Sequence, residues 1–256
     1  MVNVRNQLQG VVPYFLAGLA IIVVWQGAIE ILNPSAAILP TPGATGSTLW
    51  TLIATGELFT HVFASLSRVL SAWALAAVIA IPLGLIQGTN RRFESVFDPV
   101  VELFRPISPL AWIPLAILWF GIGESGKIFI IFIATFFPIL LNTVSGVKAV
   151  DPVMIRAGRI LGCDTSLKLF LKVILPAAMP TILVGLRIAF GTGWAAIIAA
   201  ELVAAQEGLG FLISDGMEIL RSDLVLAGMV VIGVLGVMID SVFRLVGRKV
   251  NWGTQS

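Results

Sequence analysis

Residues 128–147 read IFIIFIATFFPILLNTVSGV, a run without a single charged side chain, flanked by Lys127 and Lys148. Coiled as an α-helix at about 1.5 Å per residue, it covers about 30 Å, the thickness of a bilayer's hydrocarbon core. Inside that core no water is present to satisfy peptide groups, so the run must bond to itself as a helix. Five more segments read in the same way, near residues 11–31, 66–88, 99–120, 177–199 and 225–246. They are too long and too weakly alternating for barrel strands. The first lacks a small-residue cleavage pattern and is expected to stay in place as a helix rather than be removed as a leader.

Composition agrees. The chain has 256 residues of which 12% are charged, and its mean hydropathy is +1.01, far more apolar than a water-soluble domain. The expected fold is all-α, a polytopic bundle of six transmembrane helices forming one domain over residues 1–256.

Cations orient the bundle. With the N-terminus in the cytosol, Arg5, Arg91, Arg92, Lys148, Arg156, Arg159, Lys168, Lys172, Arg244, Arg248 and Lys249 all face inward, and the outer loops keep only Lys127 and Arg221. This bias places both termini in the cytosol. It also accounts for the net charge of +2 as a topology signal, without a nucleic-acid partner. The lone Cys163 has no second cysteine to pair with and reads as a small filler at a helix junction; His61 has no neighbouring metal ligand and reads as structural.

The connectors differ in kind. Leu32–Thr48 carries Asn33, Pro34, Pro40, Pro42 and Gly43, a turn-rich outer link leading to an amphipathic surface piece with Trp50, Leu52, Ile53, Leu58 and Phe59. Gly88–Asp98 reads as a short polar link, and Gly208–Asp223 as an outer loop. Between Lys148 and Pro176 lie two basic helix-forming stretches, Asp151–Gly162 and Asp164–Leu175, joined at a glycine. Met154, Ala157 and Leu161 recur at helical spacing in the first, and Leu167, Phe170, Leu171 and Ile174 in the second. Asp164 or Thr165 can cap the second helix. Such a pair can lie on anionic lipid or dock another protein.

Two spans carry chemistry that a lipid-facing helix does not need. In the third, Pro106, Pro109 and Pro114 follow Glu102 and Arg105 within a few residues, so the helix is expected to kink or break where it is sheltered by protein or lines a cavity. Arg105 can pair with Glu102, snorkel, or meet a passing anion. Gly121 and Gly123 then let the chain turn. The fifth span holds Pro180, Gly185, Arg187, Gly191, Gly193, Trp194 and Glu201. Its glycines permit close helix approach, and Arg187, placed a third to halfway across, is the preferred anion contact, with Glu201 as a candidate counter-charge and Trp194 as a packing or pathway aromatic. Arg68, near the outer end of the second span, reads as an interface anchor.

No catalytic constellation accompanies these charges. The chain has no Gly-x-x-x-x-Gly-Lys-Ser/Thr phosphate loop, and one histidine with one distant cysteine supplies neither a hydrolytic dyad nor a metal site.

The segment Arg156-Ala157-Gly158-Arg159-Ile160-Leu161-Gly162, followed by Ile174-Leu175-Pro176, resembles the cytosolic coupling signature of bacterial binding-protein-dependent ABC importer permeases. Within that superfamily, Glu102-Leu103-Phe104-Arg105-Pro106-Ile107-Ser108-Pro109-Leu110-Ala111-Trp112-Ile113-Pro114 and Trp119-Phe120-Gly121-Ile122-Gly123-Glu124 resemble the nitrate/sulfonate/taurine/bicarbonate branch. Gly185-Leu186-Arg187, Gly193-Trp194, Ala200-Glu201-Leu202 and Gly208-Leu209-Gly210-Phe211 follow in the same order. The chain departs from the signature at two places: Arg156 stands where a glutamate is common, and the Gly162-to-Pro176 interval is one residue longer.

The resemblance implies a type I importer permease with a coupling segment at residues 151–176, in which Arg156, Ala157, Gly158, Gly162, Asp164 and Leu167 meet the motor, Ala157 and Gly162 allowing close approach. It implies an assembly in the bacterial inner membrane of two permease copies, surrounded by lipid, two cytosolic ATPases that bind ATP and Mg, and an extracytoplasmic solute-binding protein. The permease itself would hold no cofactor. The implied cargo is a small sulfonate such as taurine or an alkanesulfonate, with nitrate, bicarbonate or an organic carboxylate as alternatives. An ion-coupled secondary transporter also suits buried charge and a broken helix, but leaves the coupling signature without a purpose.

Overall fold

The computed structural model describes the backbone of residues 4–250, and its regular elements there are all helices. They are α1 (Val4–Leu32), α2 (Pro42–Thr55), α3 (Glu57–Thr89), α4 (Arg91–Phe104), α5 (Ile113–Phe120), α6 (Glu124–Lys148), α7 (Pro152–Ile160), α8 (Ser166–Leu169), α9 (Leu175–Ala204), α10 (Leu209–Glu218) and α11 (Ser222–Val250). Four helical runs among the described residues are long and apolar enough to cross a membrane: Glu57–Thr89, Glu124–Lys148, Ser166–Val203 and Ser222–Leu245. The expected third span is a fifth only as a bent pair, Arg91–Phe104 and Pro109–Phe120, which meet at 81°. The expected first span lies on α1, whose described side chains, Gly18–Leu32, make a shorter apolar helix. Arg5, Arg248 and Lys249 lie outside the described side chains.

The chain divides into two compact units, one built from the chain up to Thr60 with Leu212–Val231, the other from His61–Phe211 and the chain beyond Ile232. In the first, Thr41 caps α2 by accepting from the Ala44 N–H, Pro42 supplies the helix's preset first turn, and Gly56 at φ 82° ends it. The expected amphipathic surface piece is therefore cut in two. Trp50, Leu52 and Ile53 ride on α2, whereas Leu58 and Phe59 open α3. The Thr48 hydroxyl donates to Asp223 at 2.5 Å, and Arg221 pairs with the same carboxylate at 2.6 Å. The expected loop Gly208–Asp223 is mostly α10, because Leu209, Leu212 and Ile213 recur at helical spacing and are buried.

The second unit is organised around α6 packed along α9. A Cβ on Gly185 would lie 2.5 Å from Asn142 Cβ, and one on Gly193 would lie 2.6 Å from Thr135 Cγ2, so glycine is what lets the two backbones meet. Ala189 between them is fully buried. Lipid tails are as apolar as leucine, so this close packing, not exclusion from water, holds the pair together. Pro138 inside α6 donates nothing to the Ala134 carbonyl. The Thr192 hydroxyl of α9 donates to that carbonyl at 2.9 Å and closes the gap.

The Gly88–Asp98 link is not an irregular polar connector. Asn90 accepts from the Arg92 and Phe93 N–H groups and starts α4 at Arg91. Phe93 stacks on Phe97, and Asp98 accepts from the buried Gln87 amide at 3.0 Å.

Candidate functional site

Three arginines lie in the apolar part of the second unit, and each has a different environment. Arg68 on α3 is 5% exposed, although a lone arginine near the end of a span reads as an anchor. Its Nε and Nη2 donate to both oxygens of Glu124 at 2.5 and 2.8 Å. Nη1 donates to Glu201 at 2.8 Å and to the Glu207 carbonyl at 2.8 Å, and Glu207 Oε1 lies 3.5 Å from Nη2. Lys127 joins through Glu124 at 2.8 Å. Glu201, sealed from solvent, also accepts from the Ser65 hydroxyl and the Gly210 N–H. The Leu209 N–H donates to Ser65, and the Gly208 N–H to His61 Nδ1. Gly208 has φ 125°, and a side chain there would collide with the Glu201 carboxylate. The network is thus a latch that fastens the stretch between α9 and α10 to α3 and α6. Glu201 balances Arg68 and not Arg187.

Arg187 stands apart from this network. It is 42% exposed and forms a bidentate pair with Asp240 of α11, Nε to Oδ1 at 2.5 Å and Nη2 to Oδ2 at 3.0 Å, while Arg244 reaches the same carboxylate at 2.9 Å. The reason is helical geometry: Arg187 is two positions from Gly185, about 200° around the helix from the face that meets α6. Trp194 is buried, stacks on Phe190 and donates to the Ile232 carbonyl at 3.3 Å, which is a packing role.

Arg105 stands at the break in the third span. Pro106 follows the end of α4, Pro109 opens a 3-10 turn over Pro109–Trp112 with Ser108 as its cap, and Pro114 lies in the first turn of α5. The three prolines thus sit where the helix stops and restarts. Arg105 makes no ion pair with Glu102 or any other carboxylate among the described residues. It lines a cavity of about 430 Å³ walled by Ile107, Leu110, Ile133, Phe137 and Ala195, with Thr192 as a polar member. Gly121, at φ 72°, and Gly123 then turn the chain into α6.

The expected coupling segment differs from two separate short helices. Asp151 caps α7 by accepting from the Val153 N–H, and Thr165, not Asp164, caps α8 by accepting from Lys168 N–H. α8 does not stop: it passes through a π-helical turn, Phe170–Ile174, into α9. Gly158 is the close-approach glycine, for a Cβ there would sit 2.8 Å from Val173 Cγ2, whereas Gly162 serves the turn with φ 92° and open space around it. Cys163 is buried at this junction, its N–H bonded to the Gly158 carbonyl. Met154, Ala157 and Leu161 line an open groove of about 690 Å³ with Lys172 and Pro176. Arg156, Asp164 and Leu167 are exposed, and Ile160 and Leu161 are 86% and 83% exposed, an apolar patch on a basic helix pair.

The family model of binding-protein-dependent transport system inner membrane components matches residues 80–252, which takes in this helix pair and the arginine cavity. The chain belongs to that family. Over 90% of its length it is 38% identical to the taurine transport system permease protein TauC of Escherichia coli, covering 86% of that protein. It is 36% identical to the bicarbonate transport system permease protein CmpB of Synechococcus elongatus, with 97% and 91% of the two chains covered. A chain from inward-facing structures of the MetNI methionine ABC transporter shares the fold at a TM-score of 0.66 and 21% identity, covering 75% of this chain and 95% of that one. The permease is accordingly an ABC transport subunit in a multi-pass membrane fold and not an enzyme.

Sequence reasoning missed Arg68 as a hub, Lys127 and Ser65 as its companions, and Asp240 as the partner of Arg187. A signal for the first was present: His61, Ser65, Arg68, Ala72, Ala76 and Ala80 recur every three or four residues, and all are buried. Small and polar residues at that spacing mark a helix interface within a membrane.

Proposed function

We propose that this permease is the membrane subunit of an ATP-driven importer that moves a small sulfonate, such as taurine or an alkanesulfonate, into the cytoplasm. The observation that carries the reading is the exposed apolar patch on the basic pair α7–α8, at the position of the coupling signature. Ile160, Leu161 and Leu167 on water would be a liability, and a groove in an ATPase subunit would cover them. Two ATPases bind ATP and Mg, two permease copies form the path, and an extracytoplasmic protein delivers the solute. ATP binding draws the motors together, and α8, continuous with α9, carries that displacement into the membrane. The cation bias supports a cytosolic position for both termini and for α7–α8. The anion path follows Arg105, which has no carboxylate partner among the described residues, whereas Arg187 is engaged by Asp240.

The taurine relative supports the sulfonate, and the bicarbonate relative keeps a second reading, with nitrate or an organic carboxylate, beside it. The deciding experiment is a ligand screen on the cognate binding protein, followed by uptake into proteoliposomes holding the complete complex. Uptake of a sulfonate is expected. Uptake of nitrate or bicarbonate alone overturns the cargo and leaves the ATP-driven mechanism standing.

A further inference from the structure

Of the three arginines in the apolar part of the second unit, Arg68 and Arg187 are held by carboxylates. Arg105 has none among the described residues, and the cavity beside it presents aliphatic and aromatic walls from Ile107, Leu110, Ile133, Phe137 and Ala195. The Thr192 hydroxyl proton is taken up by the Ala134 and Ala189 carbonyls, each 2.9 Å away. We propose that this cavity is a specificity filter within the permease, selecting an organic monoanion with an apolar body; the inference rests on the import reading above.

The chemistry follows from what the walls lack. A guanidinium fork engages two oxygens of a sulfonate or carboxylate head. The remaining oxygen of a sulfonate, like that of nitrate or bicarbonate, loses hydration against these walls, and a compact inorganic oxyanion has no apolar body to offset the loss. An amino-sulfonate such as taurine brings an ammonium, and no carboxylate lines the cavity to receive it. An alkyl or aryl body replaces water against the same walls, a gain of about fourfold in affinity per methylene until the space is filled. The filter thus ranks alkanesulfonates above taurine and above inorganic anions.

The test uses the assembled permease–ATPase complex in nanodiscs of zwitterionic lipid, without binding protein, titrated with nitrate, bicarbonate, taurine and alkanesulfonates of increasing chain length, with empty nanodiscs subtracted. Affinity should climb about fourfold per methylene and then level off. Arg105→Gln should weaken every alkanesulfonate about tenfold or more while keeping the increment per methylene. Ala195→Phe should flatten the chain-length dependence while keeping the loss caused by Arg105→Gln. Equal affinity for nitrate and butanesulfonate, or a chain-length dependence untouched by Ala195→Phe, would overturn the filter. So would a phospholipid that co-purifies with the complex and is lost in Ala195→Phe while the sulfonate titration is unchanged. ATP-driven uptake separates the two readings: if no anion is imported by the complete complex although the binding pattern holds, the import reading fails and the cavity assignment stands.

Discussion

Arg68 donates through Nη1 to Glu201 at 2.8 Å across 133 residues of sequence, with side chains 5% and 0% exposed. Both are buried, so the pair gains little over an apolar replacement but loses heavily if broken on one side. Arg68→Met should destabilise the purified permease by about 3 kcal/mol or more, because the sealed Glu201 carboxyl is left without its cation. The double variant Arg68→Met, Glu201→Met should recover most of that, since Glu124 and Glu207 are half exposed and can turn to water. Thermal unfolding of the variants in one detergent checks both values; a double variant as unstable as the single one contradicts the latch.

In α7 and the turn to α8 the two glycines should fail in different ways. Gly158→Val drives a Cβ to within 2.8 Å of Val173 and 3.2 Å of Leu169, an overpacking that costs about 1–3 kcal/mol and pries α7 from α8 and the π-helical turn that follows it. Gly162→Leu forces a side chain onto φ 92°, a strain of about 1–2 kcal/mol in the turn without a clash. Stimulated ATP hydrolysis by the assembled complex should fall in both and further in Gly158→Val, with membrane insertion unchanged. Parallel loss of insertion and hydrolysis would mark an assembly defect instead.

Arg187→Gln leaves Asp240 still paired with Arg244 at 2.9 Å. The pair is more than a third exposed in the single chain, so the loss of stability should not exceed about 1 kcal/mol. A thermal shift well above that would mean that a neighbouring subunit buries the pair.

Topology is open to cysteine labelling. Leu161→Cys and Ile122→Cys place a thiol at sites 83% and 79% exposed, on connectors that the cation bias predicts to be cytosolic and outer. In Cys163→Ser background a membrane-impermeant maleimide should label the first from the cytosolic face and the second from the outer face. Native Cys163 should react slowly from either, being buried at the helix junction.

How far the sequence could be read depended on how local each cause is. The uncharged run at 128–147 and the prolines at 106, 109 and 114 act within one or two turns, and the helices and the break stand where they fall. The Arg68 latch is different: its carboxylates lie 56, 133 and 139 residues away, and nothing within its own helix names them. Arg187 was drawn inward by its glycine neighbours, yet Gly185 and Gly193 claim the face toward α6 and leave Arg187 on another. Gly208–Asp223 looked like a loop because of its glycines and acids, but Leu209, Leu212 and Ile213 set the helical period that α10 follows.

We propose that this chain is driven by a motor on a separate subunit. The most direct measurement is sulfonate uptake into proteoliposomes carrying the permease with its cognate ATPase and binding protein, with and without ATP on the ATPase side and with ion gradients collapsed. Uptake that requires both ATP and the ATPase, and that is lost when Leu161 and Leu167 are both replaced by Asp, is the predicted result. Uptake by the permease alone, driven by an ion gradient and indifferent to ATP, would contradict it.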